Sequence, residues 1–176
     1  SGLPGKYQAE NLVTVLESCR MLNEMGFRIS RKNIETGIKE VQSLTGIRGR
    51  WQVLGKSPLV ICDIGHNEDG IKAVLEQLKT IEYNKLHIVF GTVDDKDPSN
   101  ILRLLPGDAA CYFCRAKIPR AMNENTLKEH AIQAGLKGEA YGSVGKAYED
   151  ALKNASDNDL VFIGGSTFVV AEVLQD

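Results

Sequence analysis

The sequence has no apolar run long enough to cross a bilayer, and its start lacks the basic, apolar and small-residue succession of a signal peptide. Membrane-spanning helices are thereby excluded, and a cytoplasmic location is the default expectation. Charge of one sign is also missing: 21 Lys and Arg stand against 23 Asp and Glu, a formal net charge of −2. Such a balance gives no overall pull toward nucleic acid or an anionic membrane, and the dispersed basic residues argue against a nucleic-acid groove. There is no internal repeat and no low-complexity tract. Cysteine is scarce, at four residues. Cys111 and Cys114 form a C-x-x-C pair, but "AACYFCRA" reads as a buried strand, where residues three apart point to opposite faces. The pair therefore neither closes on itself nor shares a metal, and no second pair completes four ligands. No residues assemble a metal site or a nucleophile triad. His87 falls within a strand and His130 within a helix, as packed or surface histidines do.

What is present is ordinary globular material: 43% hydrophobic and 25% charged over 176 residues, enough for one domain or for one domain plus a piece of another. The chain begins Ser1-Gly2, with no methionine before Met21, the start expected of an excised piece with a cloning scar or of a processed product.

Residues 8–25 place Leu12, Val13, Leu16, Cys19 and Met25 near helical spacing, with Gly26 as a stop. Ser30 is placed to cap a second helix carrying Ile34, Ile38, Val41 and Leu44 on one stripe. Together they predict a helical hairpin with a wide apolar face that must be covered by the rest of the chain or by something outside it. From Gly49 the rhythm changes. "RWQVL" reads as a short strand, and further strands are predicted at "LVICD", "LHIVFG", "AACYFC", "EAYGSV" and "LVFIGG". Helices are predicted near 68–80, 98–105, 125–135, 143–155 and 167–175, the third supported by the capping-box spacing of Thr126 and Glu129. This alternation defines an α/β fold, a mostly parallel sheet with helices on both faces and right-handed crossovers. The boundary with the hairpin falls in "TGIRG", whose two glycines suit a hinge.

In open α/β sheets ligands bind outside the carboxyl ends of the strands, which selects four loops. In "DIGHN", Asp63 ends a strand, Gly65 permits a tight turn and Asn67 can cap the next helix; Asp63 and His66 then project into the crevice. The alternative is that Asp63 and Asn67 satisfy only turn and helix-end amides. The loop is not a dinucleotide fingerprint: G-x-G-x-x-G is missing, and Glu68 and Asp69 would repel a pyrophosphate at that helix N-terminus. In "GTVDDKD", Lys96 can hold a phosphate or carboxylate, or the loop is solvated with Asp97 capping a helix that has Pro98 at its first position. "RAKIPRA" carries Arg120. In "GGST", residues 164–167, backbone amides and the Ser166 hydroxyl suit an anion, or the turn is purely structural.

Read in order, "YQAENLVTVLES", "GIRGRWQVL", "VICDIGHN", "FGTVDDKD", "PRA" and "FIGGSTFVVAEVL" resemble the C-terminal part of the folylpolyglutamate synthase and dihydrofolate synthase group of the Mur ligase family, through essentially the whole chain. The resemblance implies a Rossmann-like domain, residues 47–176, behind the last helices of an ATPase domain, residues 1–46. The intact enzyme it implies is a monomeric ATP-dependent amide ligase that activates a dihydropteroate or folate carboxylate as an acyl phosphate and joins it to L-glutamate. The chain has no G-x-x-x-x-G-K-[ST] sequence, so the phosphate loop and the Mg2+ ligands are expected in an ATPase domain in cis, and the fragment alone is expected to be inactive. Carried over by motif, Asn11 resembles the asparagine that meets the adenine. Arg50 resembles the arginine that reaches the ATP phosphates, and Asp63 and His66 resemble nucleotide contacts from the closing domain. Arg50 and His66 are the implied catalytic residues. Lys96, Arg120 and Ser166 fall in loops that by similarity face glutamate. Arg48 stands where the family commonly has proline, the usual small residues between the aspartate and histidine appear as Ile64 and Gly65, and Phe168 occupies a place that is often histidine. Two other readings stay open: a non-catalytic small-molecule binding or regulatory α/β domain, and the C-terminal domain of a peptidoglycan-type Mur ligase.

Overall fold

The computed structural model describes residues 2–175. The outer ends of both expected domains, Ser1 and Asp176, lie outside them. Helix α1 spans Gln8–Glu24. Asn23 clamps the turn that follows: its side-chain amide donates to the Ile29 carbonyl at 3.0 Å and its oxygen accepts from the Ile29 N–H at 2.8 Å. Ser30 caps α2, Arg31–Lys39, in a reciprocal box with Asn33. The single second helix expected from the apolar stripe is broken at Glu40, and α3 runs Val41–Thr45. The Gly2 N–H donates to the Ile38 carbonyl at 2.8 Å, an acceptor that a continuous helix would give to Gln42. Gly46 closes α3 in the left-handed conformation.

The sheet comprises β1 Gln52–Lys56, β2 Leu59–Cys62, β3 Leu86–Phe90, β4 Ala110–Cys114, β5 Lys137–Tyr141 and β6 Leu160–Gly164. Their order is β1-β2-β6-β3-β4-β5; all neighbours are parallel except β1, an antiparallel edge on β2. Strand β1 starts two residues later than the sequence pattern placed it, because Trp51 is left-handed, at φ 46. Strand β5 starts earlier and ends before Gly142, because Ser143 leaves the strand to cap α7, Val144–Asn154.

Helices α4 Glu68–Leu78, α5 Ser99–Leu102, α6 Glu124–Gln133 and α8 Thr167–Val173 complete the crossovers. Helix α5 is shorter than expected: the chain tightens to i→i−3 bonds from Leu104 and Leu105, and Pro106 follows. Helix α6 is capped by Asn123, which accepts from Asn125 and Thr126, so Thr126 and Glu129 lie inside it instead of forming its box. Alternation along the strands splits the core in two. Ile61, Ile88, Phe90, Phe113 and Phe162 pack under α4, α5 and α6, and Val60, Val89, Tyr112, Val161 and Ile163 pack under α7 and α8. Cys111 falls in the first layer and Cys114 in the second, so the C-x-x-C pair is divided by the sheet, and burial pushes the Cys111 thiol up to about 12. Among the described residues no helix is long and apolar enough to cross a membrane.

Candidate ligand crevice and hinge

Register places the carboxyl ends of the central strands level: Cys62 pairs with Ile163, Phe90 with Gly164, and Phe90 with Phe113. The loops that follow β2, β3, β4 and β6 therefore rise from one edge, and because β6 lies between β2 and β3 they meet there. They enclose a crevice of about 310 Å³ lined by His66, Thr92, Asp95, Lys96, Arg120, Ser166 and Phe168, among others. Four of the side chains singled out in the sequence, His66, Lys96, Arg120 and Ser166, thus converge from four loops.

Two of those loops are laced together. The Asp94 N–H donates to the Arg120 carbonyl at 2.9 Å and the Met122 N–H to the Thr92 carbonyl at 3.0 Å. The Arg120 guanidinium meets the Asp95 carboxylate at 3.3 Å and lies over the Phe168 ring, 5.2 Å from its centroid. Lys96 is exposed and has no ion pair or hydrogen bond among the described residues. His66 is exposed, its Nδ1 3.0 Å from the Ile64 carbonyl oxygen. Ser166 is buried and caps α8, its Oγ accepting from the Phe168 N–H at 3.2 Å. Asp97 accepts from the Ser99 N–H at 2.9 Å, but Pro98, expected at the first helical position, is itself the N-cap residue of α5, so Asp97 stands one residue before the cap. A pair of cations, a hydroxyl and an imidazole around one carboxylate suit a ligand with anionic groups.

Asp63 does not project into this crevice. Its side chain turns inward and the residue is 1% exposed. Oδ2 accepts from the Tyr7 hydroxyl at 2.6 Å and from the Trp51 N–H at 2.7 Å, while Oδ1 accepts from the Gly65 N–H at 2.8 Å. Asn67 caps α4, accepting from Gly70 at 2.8 Å. Burial, then the Asp63 carboxylate, raise the Tyr7 phenol above its ordinary pKa, and burial, then Asp63, push the Cys62 thiol up to about 12. Tyr7 is the residue that sequence reasoning missed. It lies 56 positions from Asp63 with no local motif to join them. Thr92 and Phe168 were likewise given no site role.

Arg50 lies in the turn before β1, between buried Gly49 and buried Trp51. It is half-buried, its side chain makes no hydrogen bond or ion pair among the described residues, and its charge is felt at Tyr7. The turn is held from both sides: the Gly49 N–H donates to Gln52 Oε1 at 2.9 Å, the Ile64 N–H to the Gly49 carbonyl at 2.9 Å, and Arg48 to the Leu174 carbonyl at 2.8 Å. Asn11 stands apart from both clusters. It donates to Gln8 Oε1 at 3.1 Å and lines an apolar groove of about 250 Å³ between α1 and α2. Among the described residues no group of three or more His, Cys, Asp and Glu is placed to hold a metal ion.

A Rossmann-like, mostly parallel sheet with a loop-built crevice at its carboxyl edge, preceded by a helical hairpin, is an α/β domain by class. The chain belongs to the Mur ligase family: residues 49–167 match its glutamate ligase domain. A probable bifunctional folylpolyglutamate synthase/dihydropteroate synthase of Haloferax volcanii is 31% identical over 97% of the chain, which covers 20% of that protein. Among solved structures, E. coli FolC in complex with ADP, without folate substrate, superposes with a TM-score of 0.75 at 28% identity, over 94% of this chain and 38% of that one. A bifunctional folylpolyglutamate synthase/dihydrofolate synthase with Mn, AMPPNP and L-glutamate bound gives 0.70 at 26% identity, over 85% and 35%. The chain thus spans a fifth to under two fifths of these relatives.

Proposed function

We propose that this chain is the glutamate-side domain of an ATP-dependent acid–amino-acid ligase that adds L-glutamate to dihydropteroate or folate through an acyl phosphate. The observation that carries the reading is the convergence of His66, Lys96, Arg120 and Ser166 in one crevice of a Mur ligase glutamate ligase domain. In this reading residues 1–46 belong to the ATPase domain and 47–176 form the Rossmann-like domain. Support comes from Gly46 ending the last hairpin helix and from the family match beginning at residue 49. The reading also carries a cytoplasmic, monomeric intact enzyme.

ATP, when bound, would supply the phosphoryl group that activates the carboxylate. Arg50, half-buried and without a side-chain partner among the described residues, is the group in this chain suited to meet phosphate charge from the hinge. His66 meets the nucleotide from the crevice rim, Asp63 reaches it only with Tyr7 displaced, and Asn11 holds the adenine from α1. Lys96, Arg120 and the Ser166 hydroxyl orient glutamate so that its amino group faces the activated carboxylate. The described residues do not fit Mg2+, since no carboxylate cluster is present, so metal ligation falls to the ATPase domain.

The test is ATP-dependent phosphate release with dihydropteroate or a folate plus L-glutamate, comparing this chain with the full-length protein that carries it. Activity of the full-length protein beside a silent chain is the expected result. Turnover by the chain alone would overturn the split site, and turnover only with a peptidoglycan-precursor substrate would overturn the folate assignment.

A further inference from the structure

The reading above leaves Phe168 without a role, although its ring forms one wall of the crevice. Arg120 gives that wall a meaning. Its side chain is 58% exposed and its ion-pair partner, Asp95, is 53% exposed, a pairing too wet to fix a long, flexible guanidinium by itself. The ring beneath it supplies a second constraint of a different kind, attracting the cation to one face with its centroid 5.2 Å away.

Both ends of this stack are anchored. Phe168 lies in the first turn of α8, its N–H bonded to Ser166 and its side chain packed against the core layer beneath that helix. The Arg120 backbone is laced to the β3 loop through Asp94. The guanidinium has five N–H donors, and Asp95 takes a single bond at 3.3 Å, so most of them remain for a ligand.

We propose that Phe168 is a positioning residue that holds Arg120 as the anchor for a carboxylate of the amino-acid substrate, with Asp95 as the counter-ion that the substrate replaces. The proposal rests on the reading that this crevice takes the amino acid. Lys96, the neighbouring cation without a partner among the described residues, makes the crevice fit a dicarboxylic amino acid better than a neutral one.

The test is steady-state kinetics of the full-length enzyme with L-glutamate varied, on Arg120→Ala, Phe168→Leu, Phe168→Tyr and the double variant Arg120→Ala/Phe168→Leu. Leucine keeps apolar bulk while removing the ring face, which guards the fold. Losing Arg120 should raise KM roughly tenfold or more, as charge-assisted bonds do. Phe168→Leu should raise KM roughly two- to fivefold with kcat within about twofold, the size of an exposed cation–π contact. Tyrosine should restore KM, and in the Arg120→Ala background the leucine change should add nothing. If Arg120→Ala keeps the wild-type KM, the crevice reading itself fails. If Arg120→Ala is impaired but Phe168→Leu has no effect, or multiplies independently of it, only the positioning role is overturned.

Discussion

Asp63 accepts three hydrogen bonds while only 1% exposed, so its loss leaves a partly buried hydroxyl and two backbone amides without their acceptor. Asp63→Ala should therefore cost about 2–4 kcal/mol of stability in urea unfolding, while Tyr7→Phe, which removes one donor and leaves the backbone pairs intact, should cost about 1 kcal/mol. Arg50 behaves oppositely. It has no side-chain partner to lose among the described residues, so Arg50→Ala should change folding by less than about 1 kcal/mol. If the full-length protein is the proposed ligase, Arg50→Ala should lower its turnover on the order of a hundredfold, the usual size of a lost charge-stabilising group. Equal losses of stability and turnover would remove Arg50 from the site.

At the scale of elements, the glycine before β1 is held by geometry and by contact together. Gly49 has φ +75, and a Cβ there would sit 2.9 Å from side-chain atoms of both Ile64 and Val170. Gly26, which ends α1 at φ +95, has nothing within 4 Å of that position. Gly49→Ala should cost about 2–3 kcal/mol and Gly26→Ala about 1 kcal/mol, the difference being the packing of that turn on α8. Thermal unfolding of the two variants measures it. The same distinction explains what could be read in advance. Strands β2, β3, β4 and β6 are buried on both faces and announce themselves as nearly continuous apolar runs, with His87 the polar exception in β3. Strand β5 is a partly exposed edge whose turn residues look as strand-like as its core, so its pattern slipped toward Ser143. The crevice was legible because the carboxyl-edge rule needs only strand ends. The inward turn of Asp63 was not, since Tyr7 reaches it across 56 residues from a segment with no motif of its own.

Across the whole molecule, burial is uneven. Helix α1 buries only Gln8, while Val13, Leu16, Met21, Met25 and Phe27 are exposed. Amide hydrogen exchange should accordingly be at least roughly tenfold faster in α1–α3 than in β3 and β6; equal protection would show the hairpin to be as tightly held as the sheet. Acid should weaken the sheet from its other edge. His87 is 1% exposed, between Tyr112 at 3.0 Å and Asp159 at 3.4 Å, and burial outweighs Asp159 to hold its pKa below 6.5. A depressed folded value means stability is complete above pH 6.5 and falls as pH drops toward the folded pKa, because the unfolded chain takes up the proton first. Denaturant midpoints measured from pH 7.5 to 5 should show this slope in the wild type and lose it in His87→Gln. At the opposite edge, the one tryptophan of the chain sits in the turn that joins the hairpin to the sheet, its indole buried and its amide held by the Asp63 carboxylate. Its emission is a native optical reporter of that joint: a rearrangement that parted Asp63 from the Trp51 amide would act beside a single chromophore, which can be followed in real time without a label.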